Sequence, residues 1–152
     1  MLSDGVITID DTRQDEVLAI VAMESHEDAA EFVTQFPAER HRRDLVDPGV
    51  VYKSIYDDRR ALIGFIILVL DADGSSIELR RIVVTPKGKG YGQRAMALID
   101  HICRDEIGRN RIWLDVFDFN PRAMRAYELS GYRRFGTGEL DGKRLLLFEK
   151  FV

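Results

Sequence analysis

Two short stretches of the sequence concentrate residues that can do chemistry. The first, Lys87-Gly88-Lys89-Gly90-Tyr91-Gly92 with Gln93 after it, stands between a β-branched run and an apolar stripe at helical spacing. At such a junction the first helical amides have no carbonyl partners and point outward, and the helix dipole adds partial positive charge, so the segment suits an anion such as a phosphate. Glycines let the backbone approach the anion with no Cβ in the way, and Lys87 and Lys89 add attraction at longer range. Two familiar nucleotide loops fail on their defining residues. Gln93 stands where G-x-G-x-x-G needs its third glycine, and Gly88-Lys89 is followed by Gly90 where a Walker loop needs Lys-Ser or Lys-Thr. A plain tight turn is the alternative reading.

The second stretch begins at Asn120-Pro121, which has the grammar of a helix start, with Asn as the cap and Pro at the first helical position. Gly131 after Ser130 suits the far end. Asn120 and Tyr127 are seven residues apart and share one face of that helix. Alone, Asn120 reads equally well as a cap and Tyr127 as a packed aromatic.

The elements that must position these residues follow from hydrophobic periodicity. Val6 to Ile9 is a short strand; Leu18, Ile20, Val21 and Met23, then Ala29, Ala30, Phe32 and Val33, have helix-like spacing. Residues 50–56 and 61–70 form a hairpin around Asp57-Asp58-Arg59-Arg60, and its second strand is apolar throughout, so it is expected to be covered on both faces. Residues 77–84 make the next strand after the turn residues Asp71 to Ser75. A helix is expected over 94–106, with Cys103 on its apolar stripe, and a strand over 111–117, which implies a parallel pair across the helix. A helix over 120–130 and closing strands at 133–135 and 144–151, around a turn at 136–142, complete a mixed α/β sheet with helices on both faces.

Composition narrows the function classes. At 152 residues and 45% hydrophobic, the chain fits one domain, 1–152, with a core of its own. A net charge of −4, from 22 Lys and Arg against 26 Asp and Glu, gives no global case for nucleic acid or an anionic membrane. Charge is nonetheless polarised: residues 1–39 carry ten acids against Arg13 alone, whereas residues 80–94 carry five basic residues and no acid. One cysteine excludes an internal disulfide, and His26, His41 and His101 fall in no metal-ligand spacing, so no metal is expected. The N-terminus lacks the build of a secretory signal, and the longest apolar run, 61–70, is half of a membrane span, so a soluble cytoplasmic protein is expected.

Taken together, these features resemble the GNAT superfamily of N-acetyltransferases. Its R/Q-x-x-G-x-G/A motif is matched by Lys87, Gly90 and Gly92, with Lys in place of Arg or Gln, after a strand ending Ile82-Val83-Val84. Its N-x-x-A-x-x-x-Y-x-x-x-G-F motif is matched by Asn120, Ala123, Tyr127 and Gly131, with Tyr132 where Phe is commoner. The resemblance implies a central mixed, mostly antiparallel sheet splayed between its fourth and fifth strands. It implies acetyl-CoA as cosubstrate, its pyrophosphate on the amides from Gly88 to Gln93 and its pantetheine arm along the strand edge at Ile82, Val83 and Val84, with a bond from Asn120. It further implies acetyl transfer to a primary amine by direct attack through a tetrahedral intermediate, with Tyr127 beside the departing sulfur and Glu78 as general base, though Glu78 reads equally well as an exposed strand carboxylate paired with Arg80 or Arg133. The acceptor is a small molecule, or the N-terminus or a lysine of a protein, and a homodimer stays open. The first two helices, the 50–70 hairpin, Trp113 and Phe117 are expected around the acceptor, and Arg40-His41-Arg42-Arg43 reads as a solvated helix end, with contact to a charged partner as the alternative. The competing reading is a non-catalytic acyl-CoA sensor, which would need the phosphate cradle but neither Tyr127 nor Glu78.

Overall fold

The computed structural model describes residues 1–26 and 35–152. Among them eight strands form one sheet: β1 (Leu2–Ser3), β2 (Thr8–Asp11), β3 (Val50–Tyr56), β4 (Leu62–Leu70), β5 (Ser76–Val84), β6 (Arg111–Phe117), β7 (Arg133–Leu140) and β8 (Lys143–Phe151). Their order in the sheet is β1-β2-β3-β4-β5-β6-β8-β7. Every neighbouring pair is antiparallel except β5 and β6, which the crossover helix makes parallel. The helices are α1 (Val17–Glu24), α2 (Ala38–Leu45), α3 (Tyr91–His101) and α4 (Pro121–Leu129).

The unbroken apolar run of β4 is explained by two cores. Ile66 and Leu68 enter the larger one, with Ala95, Met96, Leu98 and Ile99 of α3, and α4 packs Ala123, Met124 and Tyr127 against it. Phe65 and Ile67 enter a smaller core with Ile20 and Met23 of α1 and Leu45 of α2. Burial of each such side chain is worth about 1.5–3 kcal/mol, so β4 anchors both layers.

Where β4 meets β5 the register slips: Leu68 pairs with Leu79 and Ile67 with Arg81, which leaves Arg80 as an extra residue. This bulge reverses the pleat, so Ile77 and Leu79 face the larger core whereas Val83 faces the smaller. The sheet then opens between β5 and β6. Only Ser76, Ile77 and Glu78 pair with Arg111, Ile112 and Trp113, and beyond them residues 79–84 and 114–117 have no strand partner across the gap. These are the fourth and fifth strands of the sequence reading, before the two-residue β1 is counted.

Several boundaries differ from expectation. The helix expected around Ala29 to Val33 lies outside the described residues. Helix α3 starts at Tyr91 and closes in a wider-wound turn, Ile102–Ile107, ended by Gly108 at φ 82°. The turn expected over 136–142 shrinks to Asp141 and Gly142, both at positive φ, because Gly136 and Gly138 pair with Leu147 and Leu145. Cys103 is buried in the larger core, where desolvation pushes its thiol up to about 12. No helix is long and apolar enough to cross a membrane among the described residues.

Candidate active site

The opening between β5 and β6 is the mouth of a cleft of about 1070 Å³ that continues between the first turns of α3 and α4. At one end lies the glycine-rich loop. Gly88 and Gly90 have φ of 82° and 78°, and Gly90, in the left-handed region, caps α3 through its backbone alone. That conformation costs about 1–2 kcal/mol for a residue with a Cβ, which accounts for glycine there. The amides of Tyr91, Gly92 and Gln93 form the first turn, where no earlier carbonyl can serve them. Of the anion-binding residues expected from sequence, Lys87, Gly88, Gly90, Tyr91, Gly92 and Gln93 line the cleft, as do Ile82, Val83 and Val84; Lys89 is exposed outside the lining. The Gln93 side chain braces α3 to α4: its Nε2–H donates to the Ala126 carbonyl at 3.2 Å and its Oε1 accepts from Ser130 Oγ at 3.1 Å.

Asn120 also lines the cleft, and its Oδ1 accepts from the Ala123 amide at 3.3 Å, the capping bond that its position before Pro121 implies. One helical face on, Tyr127 packs edge-on to Tyr132 at 6.0 Å. Burial, with the nearby Asp115 carboxylate, pushes the Tyr127 phenol up to about 12, so it stays protonated at neutral pH. Its hydroxyl has no hydrogen-bond partner among the described residues.

Two carboxylates stand where the strands part. Glu78 lines the cleft and accepts from Nε and Nη2 of Arg80 at 3.3 and 3.2 Å. Burial raises its carboxyl above the ordinary value, and the negative Asp115 and Asp71 add to this against the pull of Arg80. Asp115 of β6 also lines the cleft and keeps solvent-exposed surface; partial desolvation raises its carboxyl, against the pull of Arg80 and Arg81.

A buried network forms the wall on the α1 and α2 side. Glu24, with no exposed surface, accepts from Arg81, from the Phe36 amide at 3.2 Å and from His41 Nε2 at 2.8 Å. His41 Nδ1 meets the Tyr52 hydroxyl at 2.7 Å. Burial raises the Glu24 carboxyl, but the hydrogen bonds from His41 and Arg81 and the Arg81 charge outweigh it and hold the carboxyl below its ordinary value. Phe36 lies between the Arg40 and Arg81 guanidinium groups, 3.6 and 4.3 Å from its centroid, and lines the cleft.

This changes the expected acceptor wall. The 50–70 hairpin contributes no lining residue, because β4 is covered along its edges by β3 and β5. Trp113 turns away and donates from Nε1 to Asp71 Oδ2 at 2.7 Å, whereas Phe117 does line the cleft. The Arg40 to Arg43 stretch is solvated in part: Arg42 and Arg43 are exposed, whereas His41 is buried. Sequence reasoning missed Phe36, Asp115 and the Glu24 network. The one signal for Asp115 was an acid inside the apolar run from Ile112 to Phe117.

Comparison with known proteins accords with this geometry. No curated protein matches the chain. Among solved structures, the spermidine N-acetyltransferase SpeG of Vibrio cholerae in complex with CoA and spermine is similar with a TM-score of 0.84 and 16% identity, over 97% of this chain and 96% of that one. A chimera of the Vibrio cholerae SpeG with hSSAT is similar with a TM-score of 0.83 and 18% identity, over 95% of each chain. At these identities the likeness establishes the fold. The model of the acetyltransferase (GNAT) family matches residues 15–132, from before α1 to the end of the second motif, and the chain therefore belongs to that family.

Proposed function

We propose that the chain transfers the acetyl group of acetyl-CoA to the primary amine of a small molecule, with the roles below assigned to its own residues. One observation carries the reading: a single cleft joins an amide-lined anion cradle, a gap between two strand edges, and a phenol with two carboxylates. The cradle fits a pyrophosphate, because a Cβ built on Gly88, Gly90 or Gly92 meets nothing within 4 Å, so that side of the loop is open. Acetyl-CoA supplies the activated thioester. The amides of Tyr91 to Gln93 and the Lys87 ammonium hold the pyrophosphate. The free edge at Val83 and Val84 pairs with the pantetheine arm and offers an amide to the thioester oxygen as charge grows there.

Glu78 takes the proton that the attacking amine must lose, and its raised carboxyl suits that task better than an exposed one. The amine nitrogen bonds to the acetyl carbon and the carbon–sulfur bond breaks. Tyr127 gives its proton to the sulfur, and solvent returns the Glu78 proton to the phenolate. The products are an N-acetyl amine and CoA.

The similar Vibrio cholerae protein is named for spermidine, which puts spermidine and spermine at the head of the amines to try. The test follows thiol release from acetyl-CoA over a panel of small amines and lysine peptides. Turnover with a small amine is expected. CoA binding with no turnover on any amine would overturn the reading in favour of an acyl-CoA sensor.

A further inference from the structure

We propose that the acceptor is a monoamine with an apolar body, which lies on a floor made by Phe117, Leu145 and Leu140 with its nitrogen toward Glu78. The inference rests on the acetyl-transfer reading above and names the class of amine. Strand pairing puts the floor together. Phe117 of β6 is opposite Leu145 of β8, Leu145 is opposite Gly138 of β7, and Leu140 lies two residues beyond Gly138. Cross-strand partners, and residues two apart in one strand, share a face of the sheet, so the three side chains project together. Val116 and Leu146, their neighbours in sequence, fill the larger core, so the floor lies on the opposite face. Glu78 projects from that same face, because Ile77 and Leu79 on either side of it enter the larger core. Gly138 puts no side chain on the floor, which spans two strand spacings, about 10 Å, from β6 to β7.

Among the described residues, none of the three enters either core, yet all three line the cleft that reaches Glu78 and the gap. Leu145 is 8% exposed, whereas Leu140, at the tip of the hairpin, is 42% exposed. Phe119 stacks on Phe117 at 4.9 Å and steadies that ring. One exposed leucine means little on its own, but three apolar side chains on one face of one reaction cleft leave surface that a guest can take out of water. Charge opposes a polycation in the same place. The carboxylates that line the cleft among the described residues are Glu78, paired with Arg80, and Asp115, whereas Arg80, Arg81, Lys87 and Arg122 line it as cations. At the rim of the floor stands Lys143, paired with Leu140 across the hairpin, its ammonium 5.8 Å from the Phe117 centroid. A second ammonium on the acceptor would meet this cation and no lining carboxylate beyond Asp115.

The experiment follows thiol release from acetyl-CoA with n-propylamine, n-hexylamine, 1,6-diaminohexane, spermidine and a lysine peptide, in the wild type, Leu140→Ser and Leu140→Asp. The first three share a primary nitrogen on a methylene chain and differ only in apolar length or in a second ammonium. In the wild type, kcat/KM for n-hexylamine is expected to exceed those for n-propylamine and for 1,6-diaminohexane by about tenfold or more. Leu140 is exposed and enters neither core, so both variants are expected to melt with the wild type. Leu140→Ser should shrink the hexylamine-to-propylamine ratio about threefold or more, and Leu140→Asp should shift preference toward 1,6-diaminohexane. Equal wild-type kcat/KM for n-propylamine and n-hexylamine, or a wild-type preference for 1,6-diaminohexane or spermidine, would overturn the proposal and leave acetyl transfer standing. Wild-type ratios in both variants, or turnover of the peptide alone, would do the same. CoA binding with turnover of no amine would instead overturn the acetyl-transfer reading, and the acceptor class with it.

Discussion

Replacing Tyr127 with phenylalanine deletes one oxygen from the cleft and separates catalysis from packing. The ring stays against the larger core and edge-on to Tyr132, and the hydroxyl has no partner to orphan among the described residues. The folding cost is therefore expected within about 0.5 kcal/mol, or about 1–2 °C in melting temperature for a domain of this length. Turnover is expected to suffer more. A phenol at about 12 holds its proton across the working range, so the variant loses a donor that the wild type has at every pH tested. Loss of a positioned acid costs about 10² in rate, equivalent to about 2.7 kcal/mol of barrier. The loss belongs in kcat, because help to the leaving sulfur grows only as the carbon–sulfur bond breaks. The assay is steady-state thiol release at saturating acetyl-CoA and amine, with CoA affinity and melting temperature measured on the same preparation. Full kcat in Tyr127→Phe with chemistry rate-limiting would refute the assignment. A fall in stability with unchanged kcat would show that the hydroxyl is structural.

Three other perturbations test separate parts of the site. Gly92→Val places a side chain into the open side of the cradle at a residue without positive φ, so the protein is expected to melt normally while losing the stabilisation of about 2.7 kcal/mol that CoA at one hundred times its Kd gives the wild type. A CoA-induced shift of wild-type size would show that the cradle is misplaced. In the wild type the acid limb of kcat/KM is expected above the ordinary carboxylate value of about 4.3, because Glu78 is raised and must be ionised to act. Glu78→Gln should remove that limb and cost about 10²–10⁴ at neutral pH, less as the pH nears the amine's own pKa; a loss independent of pH would assign Glu78 to positioning. Glu24→Gln leaves Arg81 buried beside a neutral partner, and calorimetry is expected to show about 3–5 kcal/mol of lost stability. The depressed Glu24 carboxyl contributes fully at neutral pH and its contribution is lost as pH falls through its folded value, so the variant should lack part of the wild type's acid sensitivity.

The parts of the site that were legible in sequence are the parts made locally. A glycine-rich loop before an apolar stripe and an Asn-Pro helix start depend on neighbours within a turn or two, and Gly90 at φ 78° and the Asn120 cap express the same local rules. The apolar run of β4 likewise announced burial on both faces. What the sequence could not display are choices made between distant segments. His41 looked solvated among arginines because the carboxylate it meets, Glu24, is 17 residues away on another helix. Asp115 and Trp113 share a face of β6, yet one lines the cleft and the other reaches the turn at Asp71, a distinction set by where β5 and β6 stop pairing. The bulge at Arg80, which sends Arg81 toward Glu24, leaves no mark in the pattern 77–84 that a regular strand would not also leave.

Where β5 and β6 separate, the gap is bordered by main-chain groups, and a main-chain group survives almost any substitution. Within residues 79–84, Leu79, Arg81 and Val83 are fixed by burial, so change falls more easily on Arg80, Ile82 and Val84, whose main-chain groups stay in place whatever side chain they carry. The opposite wall is built from the side chains of Phe36, Asp115 and Phe117, and there a single replacement alters the surface offered to a guest. The two walls thus differ in kind: one offers main-chain groups that point mutation leaves in place, the other offers side chains that it changes directly.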